Sequence, residues 1–595
     1  MEEVELCERE KENMMWVKDG SVDCKGIPAS FAKTGGWKAS LFIILLELTE
    51  RMAYFVIISS LITYLTNELH QGVTSAAKSV NNWAGVSTVL PLVGGFLADS
   101  YIGTYWMVVA SSCVYFLGLS LLTVTVSVSS LKPPPCPSKS SLYCGNASSV
   151  EVGLLFFSLY IVSIGAGGLK PSLGSYGPDQ FDRNNPKEKL QKHSFFNWVF
   201  FAFSIGILLA TTVLVYVEEN VSWGAGIGSA TAAFGLAVVV FLCGTPFYRY
   251  KVIPSAHNGS PITRIVQVFV AAGRNRNLEL PDAALLHQGD SKMDGAQLEH
   301  TQSFRWLDKA AVQRLAGNSN TNPEETGIEP KPSPWNLCTV TQVEEAKQIL
   351  RILPIWFTCL TITLTLTLQT TFFIKQSSTM DRKMGSNFKL PQASVFSFSM
   401  ITTMLFLPLY DRVIVPVARR ITGNDRGITI LQRIGVGLIF SILGMVVSAL
   451  VEIKRLQTAK RNGLVEKPHE TIPMTVFWLA PQYIMFGITD GFILAGLQEF
   501  FYSEVPDTMA NLGIAIFLSV LGVGSFLCSI LITVVEKISS QANSHDHGWF
   551  LNNLNKCHLD YFFWLLACLS TINFCTYVCF SQKYTYKKTI ISQKQ

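Results

Sequence analysis

The stretch LFIILLELTERMAYFVIISSLITYL, residues 41–65, decides the fold. A helix of about 25 residues, rising 1.5 Å per residue, can cross a bilayer core of roughly 30 Å. Three ionisable side chains, Glu47, Glu50 and Arg51, interrupt this apolar run. Their spacing of i, i+3 and i+4 places them on one helix face, with Tyr54 at i+7. The sequence therefore predicts a membrane helix with one charged face.

Charged side chains inside a membrane helix are costly, and they usually face a cavity and mark the path of an ion or a substrate. Arg51 balances only one of the two carboxylates, so the cluster has a net negative charge, which suits a group that takes up and releases a proton. The alternative is a static ion cluster that only holds helices together. We interpret Glu47, Glu50 and Arg51 as proton-coupling residues.

The composition is that of an all-α membrane protein. Of the 595 residues, 49% are hydrophobic and only 15% are charged, which is too apolar for a soluble chain of this length. Neither a phosphate loop, a nucleophile elbow nor a cluster with metal-ligand spacing is present in a credible setting. The sequence predicts neither an enzyme nor a metal site, and no cofactor other than protons as the coupling ion. The net charge of +5 fits basic residues at membrane ends and gives no reason to invoke nucleic acid.

Twelve apolar segments follow one another along the chain, six on each side of a long polar stretch. They lie near residues 38–66, 79–98, 104–130, 151–170, 196–217, 223–244, 347–374, 391–415, 428–453, 473–497, 508–535 and 559–581. Within the polar stretch, 262–273 and 301–315 can form amphipathic surface helices.

These segments predict five regions. They are a cytoplasmic N-terminal tail (1–37), which has no apolar core of a signal peptide, a six-helix bundle (38–245), a cytoplasmic linker (246–340), a second six-helix bundle (341–581) and a cytoplasmic tail (582–595).

An Asp ends the second apolar segment of each half. Asp99 lies in GFLADSYIG, and Asp411, followed by Arg412, lies in LPLYDR. A single Asp at such a place is often a helix cap. The repeated position favours an inner-loop motif that both halves share, as in the major-facilitator transporters.

Basic residues indicate the orientation of the chain. Loops 171–194 and 409–427 and the C-terminal tail carry most of them on one side, which we predict to be cytoplasmic together with both termini. Loop 454–470 disagrees, because its five Lys and Arg residues fall on the predicted outer side.

The predicted outer side also holds candidate modification sites. Asn146 and Asn220 begin N-x-S sequences and are predicted glycosylation acceptors. Cys136 and Cys144 flank one outer loop, where a disulfide and a reduced pair are both compatible with the sequence.

Three polar residues inside apolar segments are substrate candidates. Lys170 closes the fourth segment in GAGGLKP, where Pro171 is expected to limit the helix. It is a lysine that reaches the headgroups, a ligand for a substrate carboxylate, or half of a gate. Asp490, the only acid well inside the tenth segment, is its natural counter-charge or the partner of a substrate amine. Gln369 is the best ligand candidate of the Thr-rich seventh segment.

Taken together, these motifs resemble the proton-coupled oligopeptide transporter family, solute carrier family 15, and within it the peptide/histidine branch and its plant relatives. ELTER at 47–51 is similar to the family's ExxER signature, and GAGGLKP at 165–171 to a further block. The similarity extends from about residue 38 to 580. The resemblance implies a major facilitator superfamily fold with twelve transmembrane helices in two six-helix bundles, and symport of protons with di- and tripeptides by alternating access. It also implies that Tyr54 lines the substrate pocket, and that Lys170 either binds the peptide carboxylate or pairs with the tenth helix, which carries Asp490, across the cytoplasmic gate.

The chain departs from the peptide carriers at several places. Ile58 stands where they often have an Arg, Leu368 where its acidic partner would precede Gln369, and the acid of the tenth helix is Asp490 rather than Glu. Plant relatives with the same signature carry nitrate and other anions. A transporter of a non-peptide anion is therefore an alternative, and a membrane receptor or scaffold that has lost transport is another.

We predict a proton-coupled symporter of small peptides, histidine or peptide-like zwitterions. Its expected partners are the lipid bilayer, protons and the substrate, and the fold is expected to work as a monomer. The sequence carries no obvious organelle address, so the plasma membrane and the endolysosomal membrane both stay open.

Overall fold

The computed structural model describes most of the chain. The described residues are 16–17, 20–131, 148–182, 185–251, 261–278, 286–287, 300–312, 333, 335–385, 388–423, 428–468, 470–506, 509–542, 548–551 and 553–586.

The described residues are mostly helical. The helical runs are α1 (Gly36–Asn67), α2 (Val73–Ile102), α3 (Thr104–Ser127), α4 (Ser149–Gln180), α5 (186–220), α6 (Trp223–Cys243), α7 (Pro261–Arg274), α8 (Val340–Thr379), α9 (Ala393–Thr422), α10 (Ile430–Arg461), α11 (Val476–Glu504), α12 (Ala510–Ala542) and α13 (Leu559–Gln582). Four short strands are β1 (Met380–Asp381), β2 (Lys383–Met384), β3 (Phe388–Lys389) and β4 (Ile472–Thr475). β1 pairs with β4, and β2 forms a hairpin with β3.

Eleven helical runs in the described residues are long and apolar enough to cross a membrane. Helix α1 is not among them, but it has 32 residues and carries the predicted charged triad near its middle. With α1, the described part of the chain contains twelve membrane-length runs, each of which overlaps one predicted segment. The twelve-helix prediction is confirmed, and α7 is the additional helix in the linker.

Three of these helices begin with a capping box, which is a local sequence signal. The side chains of Ser148 and Thr339 accept hydrogen bonds from the backbone of Glu151 and Gln342, whose side chains bond back to the cap. Such capping boxes satisfy two backbone N–H groups that a helix start would otherwise leave unpaired. Helix α10 begins with a third box, built on Thr429.

The expectation that Pro171 limits the fourth helix was wrong. The α-helix continues through Pro171 to Tyr176. Pro171 leaves the carbonyl of Gly167 without its usual helical donor. Helix α2 packs directly on this carbonyl, since a Cβ added to Gly94 of α2 would lie 2.1 Å from its oxygen. A neighbouring helix held so close to the backbone can compensate for the hydrogen bond that a proline removes.

Three of the long runs contain a five-residue π-helical turn. These turns are Ala98–Ile102 in α2, Ala210–Leu214 in α5 and Tyr410–Ile414 in α9. A π turn closes i→i+5 hydrogen bonds and widens the helix locally, often at functional sites.

The two ends of the helical bundle carry different structures. One end, the linker face, holds the start of α1, the end of α4 and the linker, which packs through Val268 and Leu307 on Val343 at the start of α8. The other end, the distal face, holds β1–β4.

The linker contact contains a carboxylate cluster with the spacing of a metal site. Among the described residues, His300, Asp308 and Glu344 bring one ligand atom each close together. The ammonium of Lys347 lies between the acids, 2.6 Å from Asp308 Oδ1 and 2.8 Å from Glu344 Oε1. A lysine therefore occupies the place that a cation would need.

Near the distal face, the interior of the second bundle holds a buried ion pair. Both oxygens of Glu452 bind Arg455, at 2.7 and 2.8 Å. Arg455 also donates to Thr379, Asn555 and the carbonyl of Leu554, which joins α10 to α8 and to the loop before α13. Neither Glu452 nor Arg455 is exposed.

The helix that carries this ion pair extends into the predicted basic outer loop. The ninth segment, predicted to end at 453, continues as helix α10 to Arg461. Arg455 is consequently a buried helix residue, and Lys454 lies 3.1 Å above the ring centroid of Trp478. Two of the five basic residues that disagreed with the predicted orientation are thus engaged with the protein itself.

Candidate functional site

The predicted residues of α1 form one buried cluster with Lys170. The Lys170 ammonium lies 4.0 Å from Glu50 Oε1 and 3.5 Å from the ring centroid of Tyr54. Arg51 Nε lies 3.5 Å from the other oxygen of Glu50. Glu47, Glu50 and Lys170 are each at most 4% exposed. Two carboxylates and two cations are thus gathered inside the first bundle.

The aromatic surroundings hold this cluster in place. Tyr54 stacks on Trp83 of α2 with ring centroids 5.4 Å apart. The indole N–H of Trp83 donates to the carbonyl of Leu159 on α4. The guanidinium of Arg51 lies 4.6 Å from the ring centroid of Phe203 on α5. Tyr54, predicted to line the pocket, is therefore a direct contact of Lys170.

A second polar cluster lies in the other bundle, around Asp490. Its Oδ2 accepts hydrogen bonds from Gln369 at 3.5 Å and from the hydroxyl of Ser399 at 3.3 Å. Tyr483 donates to the backbone carbonyl of Gln369 and fixes the turn at this point of α8. Gln369 and Asp490 thus come together as predicted candidates, and Ser399 joins them.

The two clusters belong to different bundles, which touch between them. The ring of Phe55 on α1 stacks on Phe396 at the start of α9, with centroids 6.1 Å apart. The hydroxyls of Thr211 and Ser397 are 2.9 Å apart across the same seam. Each cluster also holds a buried oxygen without a hydrogen-bond partner among the described atoms, Glu50 Oε1 in one and Gln369 Oε1 in the other. Such atoms are expected where water or a ligand binds.

The predicted gate between Lys170 and Asp490 is not formed in this conformation. Lys170 pairs with Glu50, and Asp490 accepts its hydrogen bonds from neutral side chains. Pairing of the two in another conformation stays a prediction.

Apolar side chains occupy the two positions of α1 and α8 at which the sequence lacks the charged residues of the peptide carriers. Ile58 and Leu368 are buried, and both belong to the main hydrophobic core. An Arg and an acid are absent together, so no unpaired charge is left at this point of the interface.

The predicted inner-loop motif joins the bundles at the linker face. The amide of Asn511 at the start of α12 donates to Asp99 at the end of α2. Asp411 lies in the π turn of α9, where the structure describes its backbone only, and Arg412 is exposed beside it.

Of the predicted modification sites, the structure describes Asn220 alone. Cys136, Cys144 and Asn146 lie outside the described residues. Asn220 ends α5 and is exposed, and its side-chain amide donates to the carbonyl of Tyr216 at 2.9 Å. Glycosylation of either Asn stays a prediction.

The sequence analysis missed a set of charged residues that join the bundles at the distal face. Arg382, just after α8, lies 3.6 Å from Glu219 at the end of α5. The same carboxylate accepts the backbone N–H of Gln392 at 2.9 Å. The buried ammonium of Lys375 donates to Thr66 of α1. The sequence gives only one signal for them, their position at helix ends. Their partners could not be predicted, because each lies in the other half of the chain.

Residues 105–550 match the model of a family described as PTR2, POT family. The chain is 43% identical to Protein NRT1/PTR FAMILY 5.7 of Arabidopsis thaliana, over 96% of this chain and 92% of that protein. It is 42% identical to Protein NRT1/PTR FAMILY 8.3 of Arabidopsis thaliana, over 97% and 96%.

Solved structures share the fold at low sequence identity. The crystal structure of an auto inhibited POT family peptide transporter matches with a TM-score of 0.64 and 17% identity, over 92% of this chain and 97% of that one. A POT family transporter in complex with 5-aminolevulinic acid matches with a TM-score of 0.60 and 12% identity, over 93% and 99%.

Proposed function

This chain belongs to the POT family, a family of transporters and not of enzymes, and from that premise we propose that it couples the movement of protons to the uptake of small peptides or peptide-like zwitterions. The observation that carries the proposal is the buried contact of Glu50 with Lys170, at 4.0 Å. It couples a group that can be protonated to a cation that can bind a substrate carboxylate.

The proposed coupling follows from the charges of the cluster. When Glu50 is ionised, it attracts Lys170 and competes with any substrate carboxylate for the ammonium. When Glu50 takes up a proton, Lys170 loses its partner, and an unpaired buried ammonium is costly. A substrate carboxylate removes that cost. Protonation and substrate binding therefore favour each other, and the coupling is reciprocal.

The second cluster suits the other end of a zwitterion. Asp490 is a buried carboxylate that accepts hydrogen bonds from two neutral side chains, those of Gln369 and Ser399. A substrate ammonium would supply its counter-charge, and the unpartnered Gln369 Oε1 could accept a further hydrogen bond from it. Closing of the bundles around a bound zwitterion would bring Lys170 and Asp490 to its two ends.

Uptake into proteoliposomes with an imposed inward proton gradient tests this function. Labelled di- and tripeptides, histidine and nitrate form the substrate panel. We expect a peptide to accumulate only while the gradient lasts, and a protonophore to abolish the accumulation. Uptake of nitrate without peptide uptake would favour the second candidate, a transporter of a non-peptide anion, which is supported by the similarity to the NRT1/PTR relatives. If correctly folded protein moves none of these substrates, a receptor or scaffold becomes the better account.

We expect Asp490→Asn to raise the KM for a dipeptide about 10- to 100-fold, as expected for the loss of a hydrogen bond to a charged group. The substitution keeps the size of the side chain and removes the charge that binds the ammonium. An N-acetylated dipeptide, which has no ammonium, should be affected much less. Glu499→Gln is the matched control, because Glu499 lies on the same helix and is 47% exposed. An unchanged KM for the free dipeptide contradicts the assigned contact.

A further inference from the structure

Two lysines lie directly opposite each other in the hairpin on the distal face. Lys383 of β2 is the cross-strand partner of Lys389 of β3, and both side chains are exposed. Like charges at directly opposed positions destabilise a strand pair. Folding alone would favour a neutral or acidic residue at one of these positions, so the repulsion calls for an explanation outside the hairpin.

A buried arginine adjoins the two lysines. Arg382 is 8% exposed, and its Nη1 donates to the carbonyl of Leu390 at 2.8 Å. Its Nε is buried and has no hydrogen-bond partner among the described atoms. Burial lowers the pKa of the Arg382 guanidinium, and the nearby Glu219 offsets this only in part. The site thus contains a donor that still lacks an acceptor.

These three cations line one cavity. It is an open cavity of about 270 Å³ between the hairpin and β4, and Asp381 is the acid on its wall. One oxygen of Asp381 already accepts the backbone N–H of Lys383 at 3.1 Å. The cations therefore outnumber the acids of the wall, and the volume admits a carboxylate or another small oxyanion.

The hairpin also lies at the seam between the bundles. Phe388 of β3 stacks on Tyr216 of α5, with ring centroids 5.8 Å apart. Arg382 contacts Glu219 of the same helix. The cavity is thus next to the place where the two bundles meet at the distal face.

We propose that Arg382, Lys383 and Lys389 form an anion-binding subsite at the distal end of the transport path. It takes the carboxylate or another oxyanion group of a substrate before the substrate moves between the bundles. The anion accepts hydrogen bonds from the guanidinium and relieves the repulsion of the lysine pair. This inference rests on the proposed function in one respect, that substrates enter from the distal face.

Lysine labelling tests the subsite without any transport. Purified full-length protein is treated with an amine-acylating ester, and the labelled peptides are quantified by mass spectrometry. The probes are propionate, nitrate and phosphate, with propionamide as the neutral analogue and chloride keeping the ionic strength constant. We expect at least one oxyanion, but not propionamide, to slow the labelling of Lys383 and Lys389 severalfold. Protection by propionate alone assigns the subsite to carboxylates, and protection by nitrate or phosphate assigns it to inorganic oxyanions as well.

Lys460 and Lys467 are internal references for this measurement. Both are exposed on the distal face and lie outside the cavity wall. If oxyanions slow the labelling of Lys383 and Lys389 no more than that of the two reference lysines, the proposed subsite is wrong. This outcome does not depend on what the protein transports.

Uptake kinetics give a second readout. In Lys383→Gln/Lys389→Gln we expect the KM for a dipeptide to rise about tenfold at low salt, with little change in the maximal rate, because charged residues at an entrance raise the local concentration of oppositely charged groups. A dipeptide amide should show no such change, and Lys460→Gln/Lys467→Gln should behave as wild type. If wild type takes up peptide and the hairpin variant has the same KM, the proposed function stands and the subsite does not serve entry.

Discussion

We expect Glu50→Gln to abolish acid-stimulated uptake in proteoliposomes, with at least a hundredfold loss in the initial rate under a proton gradient. The substitution preserves the shape of the side chain but cannot release or take up a proton. It also leaves Lys170 without its ion-pair partner, so the ammonium no longer responds to the proton gradient. The measurement is the initial rate of peptide uptake over a series of external pH values.

The control must separate lost coupling from lost folding. Glu466→Gln makes the same chemical change at a side chain that is 78% exposed and paired with Lys556, and it should retain the pH response of wild type. Glu50→Gln should reach the liposomes in equal amount and elute as a single species. Full acid-stimulated uptake by Glu50→Gln would remove Glu50 from the proton path and leave Glu47 as the nearest candidate on the same helix face.

The second large effect concerns stability. Glu452→Ala should destabilise the protein by about 3–5 kcal/mol, because it leaves the guanidinium of Arg455 buried without a counter-charge. Arg455 also donates hydrogen bonds to three neutral acceptors in the described residues, namely Thr379, Asn555 and the carbonyl of Leu554. The thermal midpoint in detergent, followed by intrinsic fluorescence, reports the loss.

A double substitution identifies the cause. Glu452→Met combined with Arg455→Leu removes both charges together and should recover a large part of the stability that Glu452→Ala loses, since an apolar pair of similar volume often replaces a buried ion pair at little cost. Glu536→Ala, at a side chain that is 39% exposed, controls for the loss of a carboxylate as such. If the double variant unfolds at the same temperature as Glu452→Ala, the unpaired charge is not the cause of the loss.

The helices were predictable because each leaves a signal in its own segment. A membrane helix must satisfy its backbone internally and present an apolar surface over a fixed length, so twelve apolar runs predicted twelve helices. The charged face of α1 could be predicted for the same reason, since i, i+3 and i+4 positions coincide on any helix.

Contacts between distant segments were not predictable in the same way. Lys170 was expected opposite Asp490, but the structure places it against Glu50, and both pairings satisfy the charges equally well. Arg455 was counted with a loop, because apolar character fades before the helix ends. The capping box at Thr429 does mark where α10 begins, but the buried Glu452 that holds its last turns in place is recognisable only once α8 and the loop before α13 are packed around it.

The π turns show how far the two halves of the chain repeat one another. Ala98–Ile102 and Tyr410–Ile414 occupy the second helix of each half, and each has Asp as its second residue and Ile as its fifth. Removing one residue from such a turn would rotate the rest of the helix by about 100°. The π turn therefore sets the direction in which the end of the second helix faces in each half, and it does so at the same Asp in both. The π turn of α5 differs, because the corresponding helix of the second half, α12, is α-helical from Ala510 to Ala542. That turn distinguishes the two halves, because α5 is locally widened where its counterpart is a regular α-helix.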